Sequence, residues 1–175
     1  MYKDKKIIYI YGASGAGSTT LGSKLAGKYN GILIDTDEYF WSNDTPEKRY
    51  QSMLKDVKEA NTSLVVITGS FWNWDYDYSE LIAYIDKFVR VMLDKNIRLE
   101  RLQKREEARY WDRIKEGGDL YNKHTEFIKW ASFYDDGDLS TRSLASHKYF
   151  EERYNVTPII IDSKNDIECN IKSIL

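Results

Sequence analysis

The chain is short of several things, and each shortage excludes something. It has a single cysteine, Cys169, among 175 residues, so no intramolecular disulfide can form and a reducing cytoplasm is the simplest compartment. No run approaches the ~20 apolar residues that a membrane-spanning helix needs. The opening "YKDKK" passes straight into "IIYIYG", with no room for the apolar region and cleavage site of a signal peptide. Net charge is only -2, too small to hold a nucleic acid or a membrane surface by charge. The two histidines, His124 and His147, stand too far apart to signal a metal site. No repeat, low-complexity tract or linker interrupts the sequence. The expectation is a cytoplasmic protein with one domain over residues 1–175, large enough to bury about two-thirds of its unfolded surface.

What is present is patterned. "KIIYIY" (Lys6 to Tyr11), "GILID" (Gly31 to Asp35), "SLVVIT" (Ser63 to Thr68), "FVRVML" (Phe88 to Leu93) and "PIIID" (Pro158 to Asp162) read as short strands. Several are apolar on consecutive residues, as strands buried on both faces are. Helical segments fall between them at about 19–29, 46–60, 79–85, 97–115, 120–134 and 142–154. Thr45 before Pro46 is an N-cap with proline in the first turn. Strand–helix alternation predicts an α/β fold with three layers, about five parallel strands between helices on both faces.

The segment "YGASGAGSTTLG", Tyr11 to Gly22, carries the first chemistry. Gly12 and Gly17 occupy the two glycine positions of G-x-x-x-x-G-K-[ST], and Thr19 its hydroxyl position. The segment follows an expected strand and opens an expected helix. Backbone N–H groups of Gly12, Ala13, Ser14, Gly15, Ala16, Gly17, Ser18, Thr19 and Thr20 would form a nest for phosphates, helped by the helix N-terminus. Thr19 would ligate Mg²⁺. Ser18 stands where such a loop carries its lysine, so the main charge is missing. Two other readings stay open at this point. One is a plain glycine-rich turn. The other is dinucleotide binding, with Asp35 as the ribose acid.

"IDTDEYFW" puts Asp35 and Asp37 just past the second strand, at the sheet edge where ligands of open α/β sheets lie. Two carboxylates there could hold Mg²⁺ and accept a proton from an attacking hydroxyl. The alternative is a solvated turn in which Asp37 caps a short helix. Tyr39 and Trp41 could wall an acceptor. After the third strand, Gly69 would let the backbone approach a substrate, and Trp72 and Trp74 could stack on one. They could equally pack as core.

"NIRLERLQKREEARYWDRIKEGGD" spaces Arg98, Arg101, Arg105, Arg109 and Arg113 by three, four, four and four. On a helix they form one stripe, with Leu99, Leu102 and Ile114 facing inward. Taken singly, Arg98 and Arg113 read as members of a solvated face; the whole ladder points to an anion. Such a ladder has no part in hydride transfer, which weakens the dinucleotide reading. Further on, Tyr121, Phe127, Trp130 and Tyr134 recur at helical spacing and read as core.

With these residues in view the chain resembles the P-loop kinases of the adenylate kinase and shikimate kinase type. Within them it is similar to a lysine-less bacterial group with a loop near G-A-S-G-x-G-T-T-T-L. The blocks "DTDEYFW…PEKR", "RLERLQKRE…R…DRI…GGD" and "GGDLYNKH" carry the likeness across nearly the whole sequence. The resemblance implies ATP and Mg²⁺ as ligands and a small phosphoryl acceptor. It implies a lid at about 95–120 with Arg105 and Arg109 as its cations, Arg49 as an acceptor-side arginine, and the "DSKND" loop (Asp162 to Asp166) near the adenine. Asp119 and His124 are weaker acceptor candidates. A phosphotransferase is the leading expectation, beside a nucleotide-binding protein without transfer and an ATPase.

Overall fold

Two consecutive isoleucine–tyrosine steps build the middle of the molecule. In the computed structural model, which describes residues 5–42, 44–72 and 76–175, the first strand, β1 (Lys6–Gly12), sends Ile8 and Ile10 to one face and Tyr9 and Tyr11 to the other, all fully buried. Burial on both sides requires neighbours on both edges and layers above and below. β2 (Ile32–Asp35), β3 (Leu64–Thr68), β4 (Lys87–Met92) and β5 (Ile159–Asp162) complete a five-stranded sheet in the order β2-β3-β1-β4-β5. Every pairing is parallel, with Tyr9 opposite Ile67 on one side and Phe88 on the other.

The helices are α1 (Ser18–Lys28), α2 (Thr36–Phe40), α3 (Pro46–Glu59), α4 (Ser79–Ile82), α5 (Lys95–Tyr110), α6 (Tyr121–Ser132), α7 (Leu144–Arg153) and α8 (Ile167–Ile174). Leu21, Leu25 and Ala26 of α1 and Ile171 and Ile174 of α8 pack on Ile8, Ile10, Val66, Val89 and Val91. On the opposite face, Tyr50, Met53 and Val57 of α3, Leu81 of α4 and Phe150 of α7 pack on Tyr9, Tyr11, Val65, Ile67 and Phe88. The three-layer α/β architecture expected from alternation is therefore present. The crossover from β1 runs toward one edge and that from β3 toward the other. A crevice opens where such crossovers diverge, outside the carboxyl ends of β1 and β3.

Local expectations fared unevenly. Thr45 caps α3, accepting from the Lys48 amide, with Pro46 in the first turn. The helix expected to run unbroken to residue 115 instead stops at Tyr110, because Trp111 takes φ +50° and starts a 3₁₀ turn, Trp111–Ile114. Helix α8 was not anticipated, and α2 only as the alternative of a short helix after the second strand; both are short, and each is capped by an aspartate, Asp35 and Asp166. The aromatic series in α6 is mostly not core. Tyr134 is buried, but Tyr121 and Trp130 are exposed and Phe127 is half-buried.

Arg98 corrects the reading of a solvated stripe. Its side chain is 1% exposed and pairs with Asp135. Its Nε donates to the Leu93 carbonyl at 3.1 Å, and its guanidinium lies over the Tyr134 ring at 5.2 Å. Periodicity placed it with its neighbours, but the helix turns it inward, where a paired cation ties α5 to the end of α6. Leu102 and Ile114 are buried as expected, and Leu99 is half-buried. Removing one partner of a buried pair strands the other. Arg98→Ala should lower stability by about 3–5 kcal/mol, read as a reduced urea midpoint at unchanged slope. Asp135→Asn should cost clearly less, because the amide oxygen can still accept from the Arg98 guanidinium.

Candidate functional site

The turn from β1 into α1 is a backbone cradle that only small residues can build. Gly15 takes φ +79°, and a Cβ there would stand 2.7 Å from the Arg98 carbonyl oxygen. A Cβ on Gly12 would stand 2.5 Å from the Val91 carbonyl oxygen. Gly17, at φ +98°, is the N-cap of α1 and contributes no side-chain cap, and no acid lies in the first turn. The Leu21 amide makes the first intrahelical bond, to the Gly17 carbonyl at 2.9 Å. Helix geometry therefore leaves the Ser18, Thr19 and Thr20 amides without intrahelical partners, at the positive end of the helix dipole. Such a geometry can receive an anion.

A cavity of about 500 Å³ opens over it. Ala13, Ser14, Gly15, Gly17, Ser18, Thr19 and Thr20 form its floor, so most of the expected loop contributes. Gly12 and Ala16 lie below, buried, with the Ala16 amide bonded to the Ala13 carbonyl at 3.0 Å. Asp37 and Gly69 border the cavity from the ends of β2 and β3. Ser163, Asn165 and Asn170 border it beyond β5, within and just past the "DSKND" loop.

Positive charge reaches the cavity from three guanidiniums, Arg101, Arg105 and Arg142. Arg101 Nη1 donates to Ser163 Oγ at 3.3 Å, spanning from α5 to the β5–α8 loop. Arg105 is exposed, 3.3 Å from Glu106 and over the Phe127 ring. Arg109 is exposed one turn further along and is not among the residues bordering the cavity. Arg142 escaped sequence reasoning. It sits just before α7, and its Nη2 donates to the Gly12 carbonyl at 2.7 Å. Burial draws the pKa of this guanidinium down, while Tyr9, Asp37, Tyr134 and Asp35 oppose the change. A lone arginine in "DLSTRSLAS" carries no periodic or motif signal; the capping box of Ser143 with Ser146 beside it was the one legible clue that its backbone is fixed.

The acids divide their tasks. Asp35 caps α2, its Oδ1 accepting from the Asp37 amide at 3.1 Å, so the cap is Asp35 and not Asp37. Desolvation raises the Asp35 pKa, and the charges of Asp37 and Glu38 add to this, against the Asp37 amide and Arg142. Asp37 is exposed and faces the cavity. Among the described residues no group of three or more His, Cys, Asp or Glu side chains stands ready to hold a metal. A divalent ion at Thr19, Asp35 and Asp37 would therefore need phosphate or water oxygens as well.

The remaining candidates lie apart. Tyr39 donates to Asp56 Oδ2 at 2.7 Å, Arg49 lies over the Phe40 ring at 4.9 Å, and Trp41 is 74% exposed. These three form an outer corner between α2 and α3, off the cavity border. Trp72 borders a second cavity of about 650 Å³ with Tyr76, Tyr149, Phe150 and Arg153. Trp74 lies outside the described residues. Asp119 pairs with Arg113 at 2.7 Å, and His124 Nε2 lies 2.8 Å from Gln103 Oε1, both at the α5–α6 junction.

The chain is 34% identical over 149 residues to the uncharacterized protein YqaC of Bacillus subtilis (strain 168), a match covering 83% of this chain and 82% of that protein. It belongs to the YqaC family. No protein-family model matches the sequence. Among solved structures it is similar to the shikimate kinase of Bacteroides thetaiotaomicron, at TM-score 0.55 and 22% identity, covering 95% of this chain and 94% of that one. It is similar also to a gluconokinase from Sinorhizobium meliloti 1021, at TM-score 0.52 and 13% identity over 97% and 89%. An uncharacterized protein from Eubacterium ventriosum ATCC 27560 matches at TM-score 0.52 and 20% identity over 96% and 94%. At these identities the likeness is one of fold: this YqaC relative has the P-loop kinase fold. No helix among the described residues is long and apolar enough to cross a membrane.

One titratable group is buried in the core near Arg142. His147 is buried; Tyr134 Oη lies 2.7 Å from its Nδ1. Burial first, then the charges of Arg142 and Arg90, hold its pKa well below 6.5. A depressed histidine is neutral when folded and takes a proton more readily when unfolded, so stability is full above about pH 6.5 and falls as pH drops. Asp35, whose pKa is raised, works in the opposite sense and at lower pH. His147→Gln should flatten the decline in thermal midpoint between about pH 6.5 and 5, measured by calorimetry across that range.

Proposed function

We propose that this protein transfers the γ-phosphoryl group of ATP, with Mg²⁺, to a small hydroxylated acceptor such as a nucleotide or nucleoside, and that it is one of the lysine-less P-loop kinases. One observation carries the reading: free amides at the start of α1, three guanidiniums and the Asp37 carboxylate all border a single cavity. The amides of the glycine turn bind the phosphates, and Arg101 and Arg105 spread positive charge over their far side. Thr19 with Asp35 or Asp37 would hold Mg²⁺, which would supply further neutralisation of phosphate charge. Asp37, the more exposed acid, takes the proton from the acceptor hydroxyl. Gly69 gives the acceptor a close approach at the end of β3, and Trp72 offers it a ring beyond. Residues 95–120 act as the lid of a single-domain enzyme working on soluble substrates in the cytoplasm.

A binding protein without transfer is the competing reading, favoured by the one observation that Ser18, at the usual lysine position, is buried. The test is an ATP-consumption screen across nucleoside monophosphates, nucleosides, sugars and small acids. A saturable, acceptor-dependent rate is expected. Tight ATP binding without turnover would leave a binding protein, and turnover without acceptor an ATPase. With the acceptor found, Asp37→Asn should lower kcat by roughly 10²–10⁴ with a small change in KM, as loss of a general base does. Thr19→Ala should instead raise the Mg²⁺ concentration needed for half-maximal rate.

A further inference from the structure

The glycine turn has the shape of a phosphate cradle and no charge of its own at Ser18. Arg101 and Arg105 stand on α5, one held by a hydroxyl and the other exposed. Arg142 is different in kind. It reaches the cavity from the segment before α7, on the other side of the turn. The backbone just after it is fixed: the Leu144 amide bonds to the Tyr134 carbonyl at 2.7 Å, and Ser143 and Ser146 cap one another. Its Nη2 is spent on the Gly12 carbonyl, the first residue of the turn. Its Nε is shielded from solvent and has no hydrogen-bond partner among the described residues.

A guanidinium has five N–H donors in a fixed fork. Here one is tied to the loop backbone and a second is buried and unused. Leaving a buried charged donor unpaired is costly, and Asp35 and Asp37 act on this group without a hydrogen bond to it among the described residues. Arg142 as a whole is half-buried and borders the cavity, so an anion there would meet the part of the fork that faces it.

Resting on the function proposed above, we infer that Arg142 is the built-in replacement for the missing loop lysine, gripping the terminal phosphate of a nucleoside triphosphate. A loop lysine rides on the helix that follows the turn. Arg142 instead approaches from α7 and is wired to the turn through the Gly12 carbonyl, so the charge and the amides keep one geometry. As a planar fork it holds two phosphate oxygens where an ammonium would act as a point charge.

The test is isothermal titration of the full chain with a non-hydrolysable ATP analogue and with ADP. Arg142→Ala should weaken the analogue by roughly 10–100-fold, the loss expected for charge-assisted hydrogen bonds, while ADP changes by less than about threefold. Ser18→Lys added to Arg142→Ala should recover much of the lost affinity, because the ammonium then stands where Arg142's charge acted. A merely structural Arg142 would lower the thermal midpoint and leave the ratio of analogue to ADP affinity unchanged; that result overturns the inference. If Arg142→Ala does not fold, Arg142→Lys and Arg142→Gln decide the matter, the first keeping the ratio and the second losing it. Equal ratios in both overturn it. A wild-type chain that binds neither nucleotide refutes the function itself, which is a separate outcome.

Discussion

Backbone-to-backbone contact at two glycines sets the rest of the site. Gly12 lies against the Val91 carbonyl and Gly15 against that of Arg98, so the turn after β1 is pressed onto both β4 and the first turns of α5. A methyl group at either position would push these apart. With the glycines in place, the basic helix cannot stand off from the turn, and Arg101 comes to the mouth of the cradle as a consequence of packing. Electrostatics then acts on a geometry that sterics has already chosen.

That order of causes explains where positive charge is found. A sheet whose strands all point the same way gathers its loops at one end. Residues far apart in sequence, Thr19, Asp37, Gly69, Arg101, Arg142 and Ser163, therefore border one cavity. Losing a lysine from one loop costs little if another loop can present a cation to the same place. The resemblance implied Arg105 and Arg109 of the ladder as the cations of the site. The cavity instead draws on the ladder's Arg101 and Arg105 and on Arg142, while Arg109 lies off its border.

The fold was legible because strands buried on two faces write themselves as unbroken apolar runs, and all five were located to within a residue or two. The cradle was legible because glycine spacing reflects backbone conformation directly. Arg98 was misjudged for a physical reason. A 3–4–4–4 ladder says which residues share a helical stripe, but not whether a stripe's end turns under the next helix to meet Asp135. Trp111, Asp35 and Arg142 belong to the same class: their roles depend on a positive φ, a cap and a long-range carbonyl, none of which a local pattern records. Tyr39 and Trp41 were expected to wall an acceptor, and the resemblance put Arg49 on the acceptor side; the three do cluster, but around Phe40 and Asp56 away from the cavity.

The Arg98–Asp135 pair bears on how such a molecule could open and close. The guanidinium is out of water, held by a carboxylate at the end of α6 and by the Leu93 carbonyl. A rigid swing of α5 away from the turn would leave that charge dry and alone, so the near half of the helix and the end of α6 must travel as one piece or stay. Beyond Tyr110 no comparable anchor binds the chain among the described residues: the Trp111–Ile114 turn and Gly117, with φ +85°, join the two helices at an exposed corner. Any flexing would fall on the tip of the hairpin, and the Arg101 guanidinium, short of it, would keep its contact with Ser163.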